Sequence, residues 1–567
     1  MEAQSLSEDD LGEDTEEIEI EHTPDITKVI QPENTYSKEV VMKYDELCRI
    51  SNDLFSRILQ LPAYTADSTR WKSLFFQAFS QFDILWQYQQ QQRQALDLRR
   101  YQIGEIGSRI AHLYMSYYIH TSQIKFLRES FSFYNAILKR DYFDWEVQTE
   151  VDVGNLMHKK LRSFSRAIQV SFFLENFSSV QDYLTRLSDI IQKTSSGKGE
   201  SVPEEYAHVL SEFSSFLSYV CLPIEDDTLL EISPFQTLPA HTPARSDTIT
   251  FSLGQAVLVG GNTKQSKLID YTIDHYRMNS LLHRVTREDG IETMITHIHK
   301  ISTISLIEVL SGISNTLSPH QALLLYISGE STAYSSSYSS IQQTGELHPS
   351  YTTNSILLPV HKNSSSIPLQ QHDQLFMEDI YPFLRRPLFL LIDCPGFLSQ
   401  TELSFPDRFH QPFICIMSPP HYPTTIENTM TRGGGLLTLF LSSPLSGLCL
   451  ICSIQSISTK LAHTALELIT QVEDIAFSTL SSLPNLPLSY KQLCTDDTLQ
   501  YIVKRFLFFW TCIRLHLGFK KDCMPRCYPP IPTILFHSSY LNTELYELFS
   551  FLDISDMFMD LSHAIEL

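Results

Sequence analysis

The chain has 567 residues, of which 43% are hydrophobic and 11% aromatic, and it carries 42 basic against 65 acidic side chains for a net charge of -23. That length and apolar content suit about two to four domains with large cores. The negative balance argues against an extended phosphate-binding face, because counterion release on nucleic acid needs clustered Lys and Arg.

Residues 1–34 read as a disordered acidic tail. The first 22 residues hold ten acids and no Lys or Arg, and Pro24 and Pro32 interrupt the rest of the segment. Such a segment cannot bury enough apolar surface to offset its ordering entropy. Acids interspersed with Ile18 and Ile20 also fit an amphipathic activation-type segment, although solvation is the commoner use of such composition. The ten scattered cysteines and a start that is acidic rather than basic and apolar set the expectation of a reducing intracellular setting, with no secretory signal.

Residues 35–222 carry helical periodicity. Trp71, Leu74, Phe75, Ala78, Phe82 and Leu85 recur at three- and four-residue steps, as do Ile103, Ile106, Ile110, Leu113 and Tyr117, then Ile124, Leu127, Phe131, Tyr134 and Leu138. Val180 to Ile191 and Tyr206 to Leu217 continue the habit. Breaks fall at Leu61-Pro62, at His120 to Ser122, at Asn176 and at Ser195 to Gly199. The expectation is an all-helical domain, with a bundle and an irregular helical-repeat array both open. Residues 223–250 mix acids with four prolines and read as a linker.

Residues 251–480 read as an α/β domain with a mostly parallel sheet. Ala256–Val259, Leu323–Ile327, Leu388–Ile392 and Phe413–Met417 are uninterrupted apolar runs ending in turn residues, as strands buried on both faces require. Leu448–Ile451 is read as a fifth strand, and Leu268 to Val285 and Met294 to Ile313 as helical crossovers. The Ser-, Tyr- and Gln-rich insertion 328–374 reads as a long mobile loop. Gly433 to Thr459 contains no charge, but Pro444, Gly447 and its serines favour a buried helix followed by a strand over a membrane span. Residues 481–567 return to helix, with stripes at Leu499 to Ile513 and Leu541 to Leu552 separated by a proline-rich bridge from Pro525 to Pro532; they are expected to cover one face of the sheet.

In an open α/β sheet a ligand would sit at the carboxyl ends of the strands. Gly260-Gly261-Asn262, Ser328-Gly329, Asp393 to Gly396 and Ser418 to His421 mark those ends. GGNTKQSK lacks both dinucleotide and P-loop spacing, so its glycines read as a strand-to-helix turn. Asp393, Cys394 and His421 would form a nucleophile, base and orienting acid if their strands are neighbours, against the simpler reading of a buried thiol and a turn-capping imidazole. No G-x-S-x-G elbow surrounds a serine. Arg432 to Gly435 offers backbone amides to an anion or a flexible start to a helix. Cys523 and Cys527 with His516 and His537 hold zinc-compatible groups at a spacing unlike a finger or ribbon. The basic clusters Lys159 to Arg162, Arg385-Arg386 and Lys520-Lys521 read as solvated surface. The residues themselves therefore assign no catalytic, cofactor or metal site.

YPFLRRPLFLLID (Tyr381 to Asp393), QPFICIMSPPHYP (Gln411 to Pro423) and GGLLTLFLSSPL (Gly434 to Leu445) resemble the C-terminal signature of the suppressor of cancer cell invasion family. In the helical half, LWQYQQQQRQALD (Leu85 to Asp97), YQIGEIGSRIAHLYMSYY (Tyr101 to Tyr118) and FLRESFSFYNAI (Phe126 to Ile137) resemble it independently and in order. The resemblance spans about Ser37 to Asp560. It implies a nuclear, non-catalytic transcriptional cofactor that represses Rho-dependent gene expression by engaging the coactivator of serum response factor, with cytoplasmic residence also open. A chromatin or DNA-repair scaffold, and a nucleotide- or small-molecule-binding enzyme using the sheet's crevice, are the alternatives. The acidic start and the Ser/Tyr insertion depart from the family pattern and inherit no function from it.

Overall fold

The computed structural model describes residues 33–61, 68–144, 153–196, 204–220, 250–260, 269–284, 293–299, 301–331, 355–358, 373–397, 405, 409–423, 426, 434–520 and 523–559. Most of the acidic tail, nearly all of the 223–250 linker and most of the 328–374 insertion lie outside them.

The helical half contains α1 (Glu33–Leu59), α2 (Ser68–Gln91), the single turn α3 (Arg93–Leu96), α4 (Arg100–Thr121), α5 (Ile124–Lys139), α6 (Val153–Phe173), α7 (Phe177–Ser196) and α8 (Glu204–Val220). From α4 to α8 each helix packs on the next in sequence, and the expected breaks at Leu61, Ser122, Asn176 and Ser196 separate them. At its C-terminus α4 stops on Ser122, in the left-handed conformation at φ 57°. The stripe on α4 is wider than its sequence pattern shows. Ile106, Ile110, Leu113 and Tyr117 face a core with α1 and α2, while Ala111, Met115 and Tyr118 face a second core with α5 to α8. Gly104 permits the second contact, since a Cβ there would sit 2.6 Å from the Cβ of Tyr142.

A six-stranded sheet forms the centre of the other half, in the order β2 (Met294–His299), β1 (Ser252–Gly260), β3 (Gln321–Ser328), β7 (Leu388–Asp393), β8 (Phe413–Met417), β9 (Arg526–Tyr528). The first five are parallel and β9 is antiparallel. All six residues of β7 are buried, because alternate side chains feed opposite cores. Leu388, Leu390 and Ile392 meet α10 (Thr303–Thr316) and α11 (Met377–Ile380). Phe389 and Leu391 enter a larger core with α9 (Ile273–Arg284), α12 (Leu436–Ser442), α13 (Pro444–Ile451), α14 (Thr459–Ser482), α15 (Leu488–Leu493), α16 (Asp497–Leu515) and α17 (Ser539–Phe551). The C-terminal helices thus cover one face of the sheet.

Three expectations are corrected. Leu448–Ile451 is the second half of α13, not a strand: Pro444 stands at its first helical position, where a missing N–H costs nothing, and a short apolar run alone does not distinguish the two states. Met294 to Ile313 is not one helix, for its first six residues are edge strand β2, whose alternating histidines blunt the apolar signal. The insertion is not wholly loop. Its ends form a small antiparallel sheet of β4 (Glu330–Ser331), β5 (Ile356–Leu358) and β6 (Asp373–Leu375), pinned by buried Ile356, Leu358 and Leu375. Gly433 to Thr459 holds α12 and α13, both packed in the core, and among the described residues no helix is long and apolar enough to cross a membrane.

The halves share a seam. Ile273 and Tyr276 of α9 lie in the helical core beside Phe172 and Phe173. The Ser122 hydroxyl donates to the Ile295 carbonyl and accepts from its N–H, both at 2.9 Å, so the end of α4 satisfies the open edge of β2.

Candidate functional site

The carboxyl ends of β1, β3, β7 and β8 lie side by side, as the sequence implies, and two carboxylates meet there. Alternation along β7 sends Cys394 to one face and Asp393 to the other. The Asp393 Oδ2 accepts from the Thr438 N–H at 2.8 Å and the Thr438 hydroxyl at 2.7 Å, capping α12 from a distant strand. The Thr438 hydroxyl also lies 2.6 Å from that of Tyr326 in β3. At the start of α9, Asp274 accepts from the Gly435 N–H through both oxygens, at 3.1 and 3.0 Å, and pairs with Arg277 at 3.3 Å. Asp274, Arg277 and Asp393 are all buried.

Burial pushes Asp274 up to about 7, with Arg277 opposing and the charge of Asp393 adding to the rise. Burial also raises Asp393, against the hydrogen bonds from Thr438 and the charge of Arg277. Two glycines make room for this arrangement. Gly434 takes φ +81°, and a Cβ on Gly435 would lie 1.9 Å from Asp393 Oδ2. Gly435→Ala is therefore expected to drive Asp393 off Thr438 and lower stability by roughly 1–3 kcal/mol, read by urea denaturation. Asp274→Asn should gain on the parent as pH rises from 5 to 8, because a carboxyl whose folded pKa is raised loses stability through that window; a constant difference across those pH values would show that Asp274 stays ionised.

The crevice between the ends of β1 and β3 is where a doubly wound sheet of this order takes a ligand. Its described floor is filled by the chain itself. His275 lies so close to Gly260 that a Cβ there would be 2.2 Å from its Cε1, and its ring bonds Thr272 at 2.9 Å and the Ile298 carbonyl at 3.1 Å. His275, His283 and His297 cluster with Tyr118, Tyr271 and Phe173 along the seam. Burial lowers the first two to about 4 and holds His297 well below its ordinary value.

The sequence-derived candidates are dispersed. Asp393 caps α12 rather than orienting an imidazole. Cys394 is 2% exposed, and burial pushes its thiol well up, the opposite of what a nucleophile needs. His421 is exposed, and no hydrogen bond joins it to Cys394 or Asp393 among the described residues. The Gly435 amide is taken by Asp274, while Arg432, Gly433, Gly261 and Asn262 lie outside the described residues. Cys523 and Cys527 are core residues, His516 accepts from the Gly518 N–H at 3.0 Å, and the His537 side chain is not among those described. Among the described residues no group of three His, Cys, Asp or Glu could hold a metal ion. Lys159 and Lys160 are ion-paired with Glu105 and Asp141 at 2.9 and 2.7 Å. Sequence reasoning missed Asp274, Arg277 and Thr438. Thr438 stood out only as a polar residue inside the apolar α12, and Asp274 and Arg277 sit in an α9 that is polar along much of its length, so nothing set them apart.

The family model described as Protein SCAI matches residues 46–302 and 292–519. Protein SCAI of Homo sapiens is 28% identical over 92% of this chain and 90% of its own length, and the Protein SCAI homolog of Dictyostelium discoideum 23% identical over 94% and 92%. Among solved structures, Chaetomium thermophilum Raptor gives a TM-score of 0.35 at 14% identity over 60% of this chain and 32% of that one, too slight a likeness to carry a fold assignment. Family-model matches in both halves, joined by relatives aligned nearly end to end, place the chain in the Protein SCAI family.

Proposed function

We propose that the protein is a non-catalytic nuclear adaptor, a corepressor that lowers Rho-dependent transcription by binding the coactivator of serum response factor. The observation that carries this reading is the family match, which runs through both halves rather than through one module. The geometry supports it in a second way. The buried thiol of Cys394, the exposed His421 and the self-filled crevice floor favour a scaffold over a reaction centre. Affinity capture with the full chain from nuclear extract, read by mass spectrometry, should recover serum response factor coactivator. Repair or chromatin factors in its place would move the protein to the scaffold alternative, and a retained nucleotide without protein partners would overturn the adaptor reading.

An adaptor of this charge should not hold DNA by itself. Titration into labelled duplex at physiological salt should show no binding below about 1 μM, the tight end of the range that non-specific binders reach there. Saturable nanomolar binding would contradict it.

A further inference from the structure

The chain is strongly acidic, yet five exposed cations gather at one end of the helical half. Arg99 and Arg100 start α4, Lys139 and Arg140 end α5 beside them, and Arg93 lies on α3; all five are exposed. Arg100 binds the two helix ends together, donating to the Arg140 carbonyl and lying 5.9 Å from the ring centroid of Tyr142, whose hydroxyl accepts from Arg140 at 3.2 Å. Among the described residues the acids nearest to this end are Asp97, Asp141 and Asp144, with Glu39 on α1, and Asp141 is engaged by Lys160 at 2.7 Å.

The same end is where the described chain begins. Tyr88, near the end of α2, donates to the Val40 carbonyl at 3.3 Å, and α3 lies against α1. The start of α1 therefore stands beside Arg93. Upstream come ten acids within the first 22 residues, with no Lys or Arg among them. About ten residues separate the last of those acids from Glu33, a span of roughly 35 Å when extended, while Val40 to Glu33 adds only about 10 Å of helix.

We propose that the acidic segment Glu2–Glu21 docks on the patch formed by Arg93, Arg99, Arg100, Lys139 and Arg140, and so shields it from acidic segments of other proteins. Tethering makes weak surface ion pairs effective, since a short linker gives an effective concentration of order millimolar. The contact is electrostatic and yields to salt.

The test uses the full-length chain and a full-length variant in which the ten tail acids are changed to Gln or Asn. A synthetic peptide of residues 2–21 should bind the neutralised variant at least tenfold more tightly than the parent, whose own tail competes. Adding Arg93→Glu, Lys139→Glu and Arg140→Glu should remove that binding, with an unchanged melting temperature showing the fold intact, and 0.5 M salt should abolish it. In the parent, zero-length carbodiimide coupling should join Lys139 to tail carboxylates. Equal peptide affinity for parent and neutralised chain, or binding indifferent to the charge reversals, overturns the proposal. So does a duplex oligonucleotide that binds the neutralised chain more tightly than the peptide, for the patch would then be a phosphate surface.

Discussion

Leu390→Ala is expected to lower the unfolding free energy by about 2–5 kcal/mol. Leu390 is 0% exposed at the middle of β7, paired in register with Leu325 of β3 and Cys415 of β8. Truncation loses the transfer energy of the removed carbons and leaves a cavity between α10, α11 and the sheet, where strands on both sides resist collapse. Leu390→Asp should be worse and prevent folding, because its carboxylate would have neither water nor a partner among Leu388, Ile392 and their neighbours. Urea denaturation of the first variant and expression with circular dichroism of the second check both; a folded Leu390→Asp protein would refute the central position of β7.

The second large effect concerns two buried charges. Arg505 in α16 lies 3.3 Å from Glu473 in α14, and both side chains are nearly inaccessible. Arg505 also donates to the Tyr501 hydroxyl. Burial pushes the Glu473 carboxyl up to about 7, against the opposing pull of Arg505. Arg505→Met removes the cation and leaves the acid alone, which should cost about 3–5 kcal/mol at pH 8. The loss should shrink towards pH 5. There Glu473 is protonated in the folded state, so the penalty that grows as pH climbs towards the raised folded pKa is absent. Adding Glu473→Met should recover most of the stability, since apolar residues of similar volume replace such pairs at little net cost. A single variant that loses less than about 1 kcal/mol at pH 8 would mean that the pair is hydrated or already neutral.

The sheet was legible because strands buried on both faces must be apolar through their centres, as Ala256–Val259, Leu323–Ile327, Leu388–Ile392 and Phe413–Met417 are. What escaped was whatever broke that rule. β2 carries His297 and His299 where it packs on the aromatic rings of the seam, and β9 hides in a proline-rich bridge. Leu448–Ile451 read as a strand because four consecutive apolar residues in the core have no polar face to reveal their period. The candidate site was half visible. Its strand ends, including Asp393, follow from turn residues after apolar runs. Asp274 and Arg277 could not be placed, since which residues of a helix meet a strand end is decided by tertiary packing. The Asp393, Cys394 and His421 arrangement, weighed against the simpler buried thiol, is not assembled, for Asp393 and Cys394 point to opposite faces.

The most direct test of a non-catalytic corepressor is a reporter driven by serum response factor in cells with active Rho, comparing the full chain with a Cys394→Ser, His421→Ala double variant. The account predicts that the chain lowers reporter output and that the double variant lowers it equally. Undiminished output with the parent chain would contradict corepression, and a folded double variant that lost the effect would contradict the absence of catalysis.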